Sequence, residues 1–288
     1  MAGFVHQVVG SMSQGADGNP TVAMIEAGFA HHGLHWRYLN LEVTPQDLPA
    51  AVAGARAMGF RGFNLSIPHK VAVIEHLDGL GRSAEIIGAV NCVVAGQRGL
   101  VGENTDGKGF LASLLEVADP AGQRVVVLGA GGAARAVAVE LALAGAEHLT
   151  VVNRDPHRGE DLAVLISNRC GVPADYRPWG QARSDLYPVA PDAAIVVNAT
   201  SIGLHQPDLM PPVDPASLRP GLVVADVVFS PARTKLLTVA AERECLTLDG
   251  IGMLVNQGAE AFRRWTGVEP DRGVLRSALE AATSGPRR

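Results

Sequence analysis

Residues 124–137, RVVVLGAGGAARAV, join a run of β-branched residues to a glycine-rich turn and then to a helix-forming segment. Such a strand, turn and helix cradle the pyrophosphate of a dinucleotide, because backbone N–H groups and the helix dipole at the helix start both favour a negative charge. Gly129 permits the tight turn, Gly131 lets the backbone approach the phosphates, and Ala134 is the third small residue that allows close helix–strand packing. The fingerprint is G-x-G-x-x-A. A glycine turn can also be a plain structural corner, so its position matters. It lies in mid-chain behind roughly 120 residues, long enough for a separate domain that supplies substrate contacts and catalytic groups.

Composition leaves room for both parts. With 288 residues, 47% hydrophobic and 18% charged, the chain can bury a large core and divide into two domains of ordinary size. A net charge of −5 gives no reason to expect nucleic acid or an anionic membrane as a partner, so any bound anion must be held locally. Cys92, Cys170 and Cys245 are isolated and odd in number, without C-x-x-C or Cys/His spacing. Neither a disulfide framework nor a metal site is expected, and a reducing cytoplasm is the simplest location. The opening MAGFVHQVVG lacks a basic leader with a long apolar core, and no apolar run reaches membrane-spanning length. The expected partner is a small-molecule substrate, with monomer and homodimer both open.

Strand and helix signals alternate along the chain. FVHQVVG (4–10) reads as a first strand, and Asn19-Pro20 as the cap and first position of a helix ending near Gly33. WRYLNLEV (36–43) is the next strand, Thr44-Pro45 with Asp47 starts a helix stopped by Gly59, and GFNLSI (62–67) returns as a strand. AVNCVVA and LVGEN, separated by Gln97-Arg98-Gly99, suggest an antiparallel hairpin. Beyond residue 106 the pattern is βαβ: strand 124–128, helix about 132–144, strand 148–152, helix about 158–168, and strands near 194–198 and 222–227. The expected fold is α/β in two domains. Residues 1–106 form an N-terminal substrate domain and 107–252 a Rossmann-type dinucleotide-binding domain. C-terminal helices within 253–288 pack back on the first.

Only three of the 24 basic residues are lysines, Lys70, Lys108 and Lys235, so arginine is the default surface cation here. An ammonium can give up a proton and a guanidinium effectively cannot, so chemistry that moves a proton can require the lysine. Lys70 follows a strand and the chain-reversing Ile67-Pro68, near the sheet edge where ligands collect in α/β folds. The alternative is an exposed lysine on a first helical turn.

Around Lys70 stand NLSIPHK (64–70), GAVNC (88–92) and GENTDGKGF (102–110). Further on come GAGGAAR (129–135), NR (153–154), NATSIG (198–203), DVVFSPARTKLL (226–237) and DGIGMLVNQGAEAFRRWTG (249–267). In this order they resemble the shikimate dehydrogenase family. The resemblance implies reversible NADP(H)-dependent reduction of 3-dehydroshikimate to shikimate, with Lys70 and Asp106 as the catalytic pair. It implies that Asn64, Asn91 and Gln257 hold substrate hydroxyls, beside Ser66, which keeps the hydroxyl of the family's threonine. It also implies that Asn198, Thr200 and Met253 lie near the nicotinamide, with Ala130, Gly132, Ala133, Ala199, Val228 and Gly250 completing the cofactor contacts.

The chemistry asks for the same residue types. Reducing a ring ketone by hydride transfer builds negative charge on oxygen, so a cation or acid must stand beside it with a relay for the proton. Lys70 meets the first need, and the Asp106 carboxylate can orient the ammonium and tune its proton affinity. Asp106 also precedes the helical pattern GKGFLASLL and can be its cap, a role compatible with catalysis. Taken singly, the three amides can equally be turn or core groups.

The chain departs from the family near its start. Relatives carry two serines in an H-S-x-S-P segment that hold the substrate carboxylate; here the stretch is SMSQGADGNPTVAM (11–24). Aligned on Pro20, Asp17 and Asn19 take the serines' places, while Ser11 and Ser13 lie too far upstream to replace them. An aspartate would repel a carboxylate, whereas Asn19 and Thr21 can still donate hydrogen bonds. Phe229 also stands where a tyrosine is usual. These changes keep open an enzyme of quinate, an aminated ring or another cyclic polyol, using NAD, and beyond it a non-catalytic dinucleotide sensor.

Cofactor choice turns on VVNRDPHR (151–158) after the second strand of the nucleotide domain. An acidic residue there binds the ribose hydroxyls of NAD, and an arginine accepts the 2′-phosphate of NADP. Asp155 offers the first, Asn153, Arg154 and Arg158 the second. NADP is the expectation, since two arginines make a better phosphate clamp than one aspartate makes an exclusion device.

Overall fold

The computed structural model describes residues 5–179 and 186–284 and divides into two compact units, residues 1–105 with 255–288 and residues 106–254. Phe4, placed in the first strand from sequence, lies outside the described residues.

The first unit is built on a six-stranded sheet. Its strands are β1 (Gln7–Ser13), β2 (Trp36–Glu42), β3 (Gly62–Leu65), β4 (Gly79–Leu80), β5 (Cys92–Gly96) and β6 (Gly99–Glu103), in the order β2-β1-β3-β5-β6-β4. β1 runs parallel to both β2 and β3, while β3–β5 and β5–β6 are antiparallel. The expected hairpin is β5–β6, closed through Gln97-Arg98 with Gly99 at φ +83°. Helices α1 (Thr21–His31), α2 (Leu48–Ala57), α3 (His69–Ala72) and α4 (Arg82–Ile87) connect the strands. Met12, Val52, Phe63 and Val93 anchor one core on this sheet. The first strand extends three residues beyond its expected end. The second helix begins at Leu48, because Thr44 and Asp47 bond to each other in a turn first.

The second unit opens with α5 (Asp106–Leu114) and contains six parallel strands: β7 (Arg124–Leu128), β8 (His148–Asn153), β9 (Ala174–Pro178), β10 (Ile195–Asn198), β11 (Val223–Asp226) and β12 (Leu246–Leu248). Their order, β12-β11-β10-β7-β8-β9, is the doubly wound arrangement, with its switch point between β7 and β10. α6 (Gly132–Leu143), α7 (Pro156–Leu165) and α8 (Lys235–Glu242) complete it. β7 explains the apolar run in the sequence: Val125 and Val127 enter one core, Val126 and Leu128 the other, so both faces of the strand are covered. α7 ends three residues earlier than expected, giving way to one π-helical turn, Ile166–Cys170.

α9 (Gly250–Thr266) contains the division at 254/255, and α10 (Arg272–Ser284) packs on α1. In the first unit the Phe29 and Phe262 rings lie 5.2 Å apart, and Trp265 Nε1 donates to the Val93 carbonyl at 2.9 Å. No helix among the described residues is long and apolar enough to cross a membrane.

Candidate active site

In the first unit the site residues gather where β1, β2 and β3 end. Asn40, Ser11 and Asn64 are register partners across the three strands, so their side chains share one face of the sheet. Ser11 Oγ donates to Asn40 Oδ1 at 3.0 Å, Asn40 Nδ2 donates to the Asn19 carbonyl at 3.0 Å, and Asn19 Nδ2 donates to Ser11 Oγ at 3.1 Å. Ser11, too distant along the chain to replace a motif serine, is thus brought against Asn19. A single 3-10 turn, Ala16–Gly18, folds the chain back after β1. Glu42 pins that turn by accepting from Gly15 N at 3.0 Å and Ala16 N at 2.8 Å, which holds its carboxyl below the usual range. Asp17 is exposed on the turn. Asn19 Oδ1 accepts from Thr21 N at 3.0 Å in a local turn, but α1 begins one residue later than expected: Pro20 holds the cap position and Thr21 the first helical one.

The other expected substrate residues form a second string on the same sheet. Tyr38 Oη donates to Asn64 Oδ1 at 2.9 Å, and Asn64 Nδ2 donates to the Asn91 carbonyl at 3.0 Å. Asn91 Nδ2 donates to Gln257 Oε1 at 3.1 Å and Thr105 Oγ1 at 3.0 Å, while Asn91 Oδ1 accepts from Thr105 N at 2.6 Å. Burial pushes the Tyr38 phenol up, so it stays a neutral donor. Ser66 is exposed beyond β3, followed by a cis Ile67-Pro68 bond and the half-buried Lys70 on α3. This segment is tied down: His69 Nε2 pairs with the Val43 carbonyl at 2.9 Å, and the Lys70 carbonyl accepts from Val90 N at 2.7 Å.

In the second unit, a groove of about 440 Å³ opens at the strand ends. It is lined by Gly129, Ala130, Gly131, Gly132 and Ala133, by Asn153, Arg154 and Arg158, and by Ala199, Thr200 and Val228. Four other expected cofactor residues do not line it. Asn198 is fully buried beneath it, Met253 packs against the core, and Gly250 starts α9 where a Cβ would press on the Val228 carbonyl. Asp155 is the fourth: it caps α7, its carboxylate accepting from Arg158 N.

The groove suits a dinucleotide on its own geometry. Gly129 has φ +107°, and a Cβ there would stand 3.0 Å from the Ala199 carbonyl. α6 starts from Gly131 without a side-chain cap, which leaves its first N–H groups pointing toward the groove's glycine lining. Arg158 Nη2 reaches the Ala130 carbonyl at 3.4 Å, so this guanidinium lies across the glycine turn.

Asp106 is the first residue of α5. That helix is set tightly on α6: a Cβ at Gly107 would collide with the Ala136 carbonyl, and Lys108 Nζ pairs with the nearly buried Glu140 at 2.7 Å.

Sequence reasoning missed Trp179, Ser201, Ile202, Leu204 and Val227 on the groove wall and Asp226 behind it. Asp226 is buried at the end of β11, accepting from Asn198 Nδ2 at 2.9 Å, Val228 N at 3.0 Å and Thr234 Oγ1 at 2.7 Å. Its burial outweighs these bonds and pushes its pKa up to about 6. The DVVFSP segment marked this strand end; nothing in the sequence marked Trp179, one residue past an edge strand.

Three family models match in chain order. They are the shikimate dehydrogenase substrate binding domain over residues 20–93, shikimate/quinate 5-dehydrogenase over 113–201, and the shikimate 5′-dehydrogenase C-terminal domain over 250–280. The NADP(+) shikimate dehydrogenase of Moorella thermoacetica is 46% identical over 273 residues, covering 91% of this chain and 90% of the relative. The ligand-free 5-ketofructose reductase of Gluconobacter sp. strain CHM43 superimposes with a TM-score of 0.93 at 50% identity, over 97% of this chain and 99% of that one. A shikimate dehydrogenase solved with NADP+ gives 0.85 at 34% identity, over 98% and 97%. With three family models matched in chain order and a relative 46% identical over 91% of this chain, the chain belongs to the shikimate dehydrogenase family.

Proposed function

We propose that this chain is an NADP(H)-dependent oxidoreductase acting on a CH–OH group, and that it interconverts a ring ketone and its carbinol. Reduction of 3-dehydroshikimate to shikimate is the reaction for which its curated relatives are named. The observation that carries the reading is the groove in which the glycine turn and the two arginines meet while Asp155 is spent on a helix cap. When bound, the nicotinamide supplies or accepts the hydride. Lys70 stands by the reacting oxygen and stabilises its growing charge, and Asp106 completes the proton relay. Asn64, Asn91 and Gln257 hold the ring hydroxyls through amide groups whose positions are fixed by the bonds they make to one another. The test follows nicotinamide absorbance with shikimate, quinate and 3-dehydroshikimate and with both cofactors. Absence of turnover from folded protein with every pair would reject these ring carboxylates as substrates, and absence with a neutral polyhydroxy ketone as well would reject the oxidoreductase reading.

A second reading is favoured by position 19. The family's serine pair is absent, and the Gluconobacter structure at 50% identity is named a 5-ketofructose reductase. On this reading the same machinery reduces a keto sugar. Adding 5-keto-fructose to the panel separates the two.

A further inference from the structure

Ser11, Asn19 and Asn40 close a ring of three hydrogen bonds at the ends of β1 and β2, and each member is uncharged. The Ser11 proton is committed to Asn40 Oδ1, so this serine does not offer its O–H to a ligand. Each primary amide carries two N–H groups, so Asn19 and Asn40 each keep one beyond the ring. Two acidic residues are near neighbours of the ring along the chain: Asp17, exposed on the turn two residues before Asn19, and Glu42, two residues along β2 from Asn40, whose carboxylate is held by the Gly15 and Ala16 N–H groups. None of the three bonds involves a lysine or arginine. A ligand carboxylate here would meet neutral donors with two like charges nearby along the chain, whereas a hydroxyl can both donate to a carboxylate and accept from an amide.

Register extends the ring into the substrate shelf. Ser11 is paired with Asn40 on one side and Asn64 on the other, and Asn64 is bonded to the Asn91 carbonyl. One row of neutral groups therefore crosses the sheet from Asn40 to Asn91.

We propose that Asn19, Ser11 and Asn40 form a specificity-determining subsite that takes an uncharged, hydroxyl-bearing end of the substrate, so the chain prefers a neutral polyhydroxy ketone to a ring carboxylate. The inference rests on the oxidoreductase reading above and narrows its substrate. Asn19 selects by donating to a hydroxyl, and Asp17 excludes anions.

Binding and turnover are measured separately on the intact protein. Ligand-observed NMR with NADP+ present compares shikimate with its methyl ester, which keeps the ring and hydroxyls and removes only the charge. Steady-state rates with NADPH compare 3-dehydroshikimate with 5-keto-fructose. The expected result is at least tenfold tighter binding of the ester, and at least tenfold higher kcat/KM for the uncharged ketone. The double variant Asp17→Ser, Asn19→Ser, which restores the family's serines, should shift the binding ratio toward shikimate by at least tenfold. Tighter binding of shikimate than of its ester by the unmutated protein would overturn the subsite, whatever the turnover. Selective binding of the ester without turnover of any substrate would uphold the subsite and reject the oxidoreductase reading.

Discussion

The carboxylate of Asp155 accepts the backbone N–H of Arg158 at 3.3 Å, so the one acidic side chain in the VVNRDPHR segment is engaged in starting α7. This is the geometry of an N-cap, and it divides the segment's labour: Asp155 builds the helix while Arg154 and Arg158 face the groove. Arg154→Ala should therefore weaken NADP(H) by about 1.5–3 kcal/mol, the range for hydrogen bonds to charged groups, and scarcely change NAD(H). Asp155→Ala should lower stability by about 1 kcal/mol through the lost cap and leave the cofactor ratio near its original value. Titration of both cofactors against both variants checks this; a preference for NAD that vanishes in Asp155→Ala would reverse it.

Lys70→Ala should lower kcat by roughly two to four orders of magnitude, the range for a lost acid–base group, with little change in the dissociation constant of NADP(H). Stopped-flow hydride transfer beside a cofactor titration separates the two effects. Near-normal turnover would return Lys70 to the status of an ordinary cation on α3.

Trp179 shares the groove wall with Arg154 and Arg158, whereas Trp36 and Trp265 belong to the other unit. Cofactor binding should quench indole emission, and Trp179→Phe should remove most of that quench. Trp179→Ala should weaken NADP(H) by about 1 kcal/mol, the lower end of aromatic–base stacking. An unaltered quench in Trp179→Phe would place the cofactor elsewhere.

Asp226 gives a pH prediction whose sign follows from its burial. Folding raises its pKa from the ordinary 3.8 to about 6, so the native state binds this proton more tightly than the unfolded chain. Its contribution to stability is greatest below about pH 4 and declines as pH rises to about 6, by up to ~3 kcal/mol at 1.36 kcal/mol per unit. Asp226→Asn, neutral throughout, should gain stability relative to the unmutated protein across that window and hold a constant difference above it. Denaturant melts at pH 4, 5, 6 and 7 measure the difference, and a flat difference would show that the carboxyl titrates normally.

Sequence periodicity reached the nucleotide unit better than the substrate unit. β7 was legible to the residue because its apolar run serves two cores and its end is marked by glycine. The sequence resemblance to the family is upheld by the full-length relatives. The join between Ser11 and Asn19 was not legible, because a linear count of eight residues says nothing of a strand that runs on to Ser13 and a turn that reverses it. The competition at Asp155 was equally hidden: a carboxylate beside two arginines reads as a ligand group until the backbone shows which N–H it meets. The edge strand β12 carried too few residues for any period to declare itself, and β9, as long as β7 but half-exposed at the sheet edge, lacks the apolar run that marked β7.

The contact between α5 and α6 has a consequence for recombination. Asp106 heads one helix and the glycine turn leads into the other, and the two are interlocked by Gly107 under the Ala136 carbonyl and by Lys108 on Glu140. A chimaera that imports α5 alone from a relative, with any larger residue at 107, would force the helices apart. One that lacks the lysine would strand a nearly buried carboxylate, at a cost on the order of 3 kcal/mol. Residues 107, 108, 136 and 140 therefore have to travel together, and a productive crossover lies before Asp106 or after Leu143.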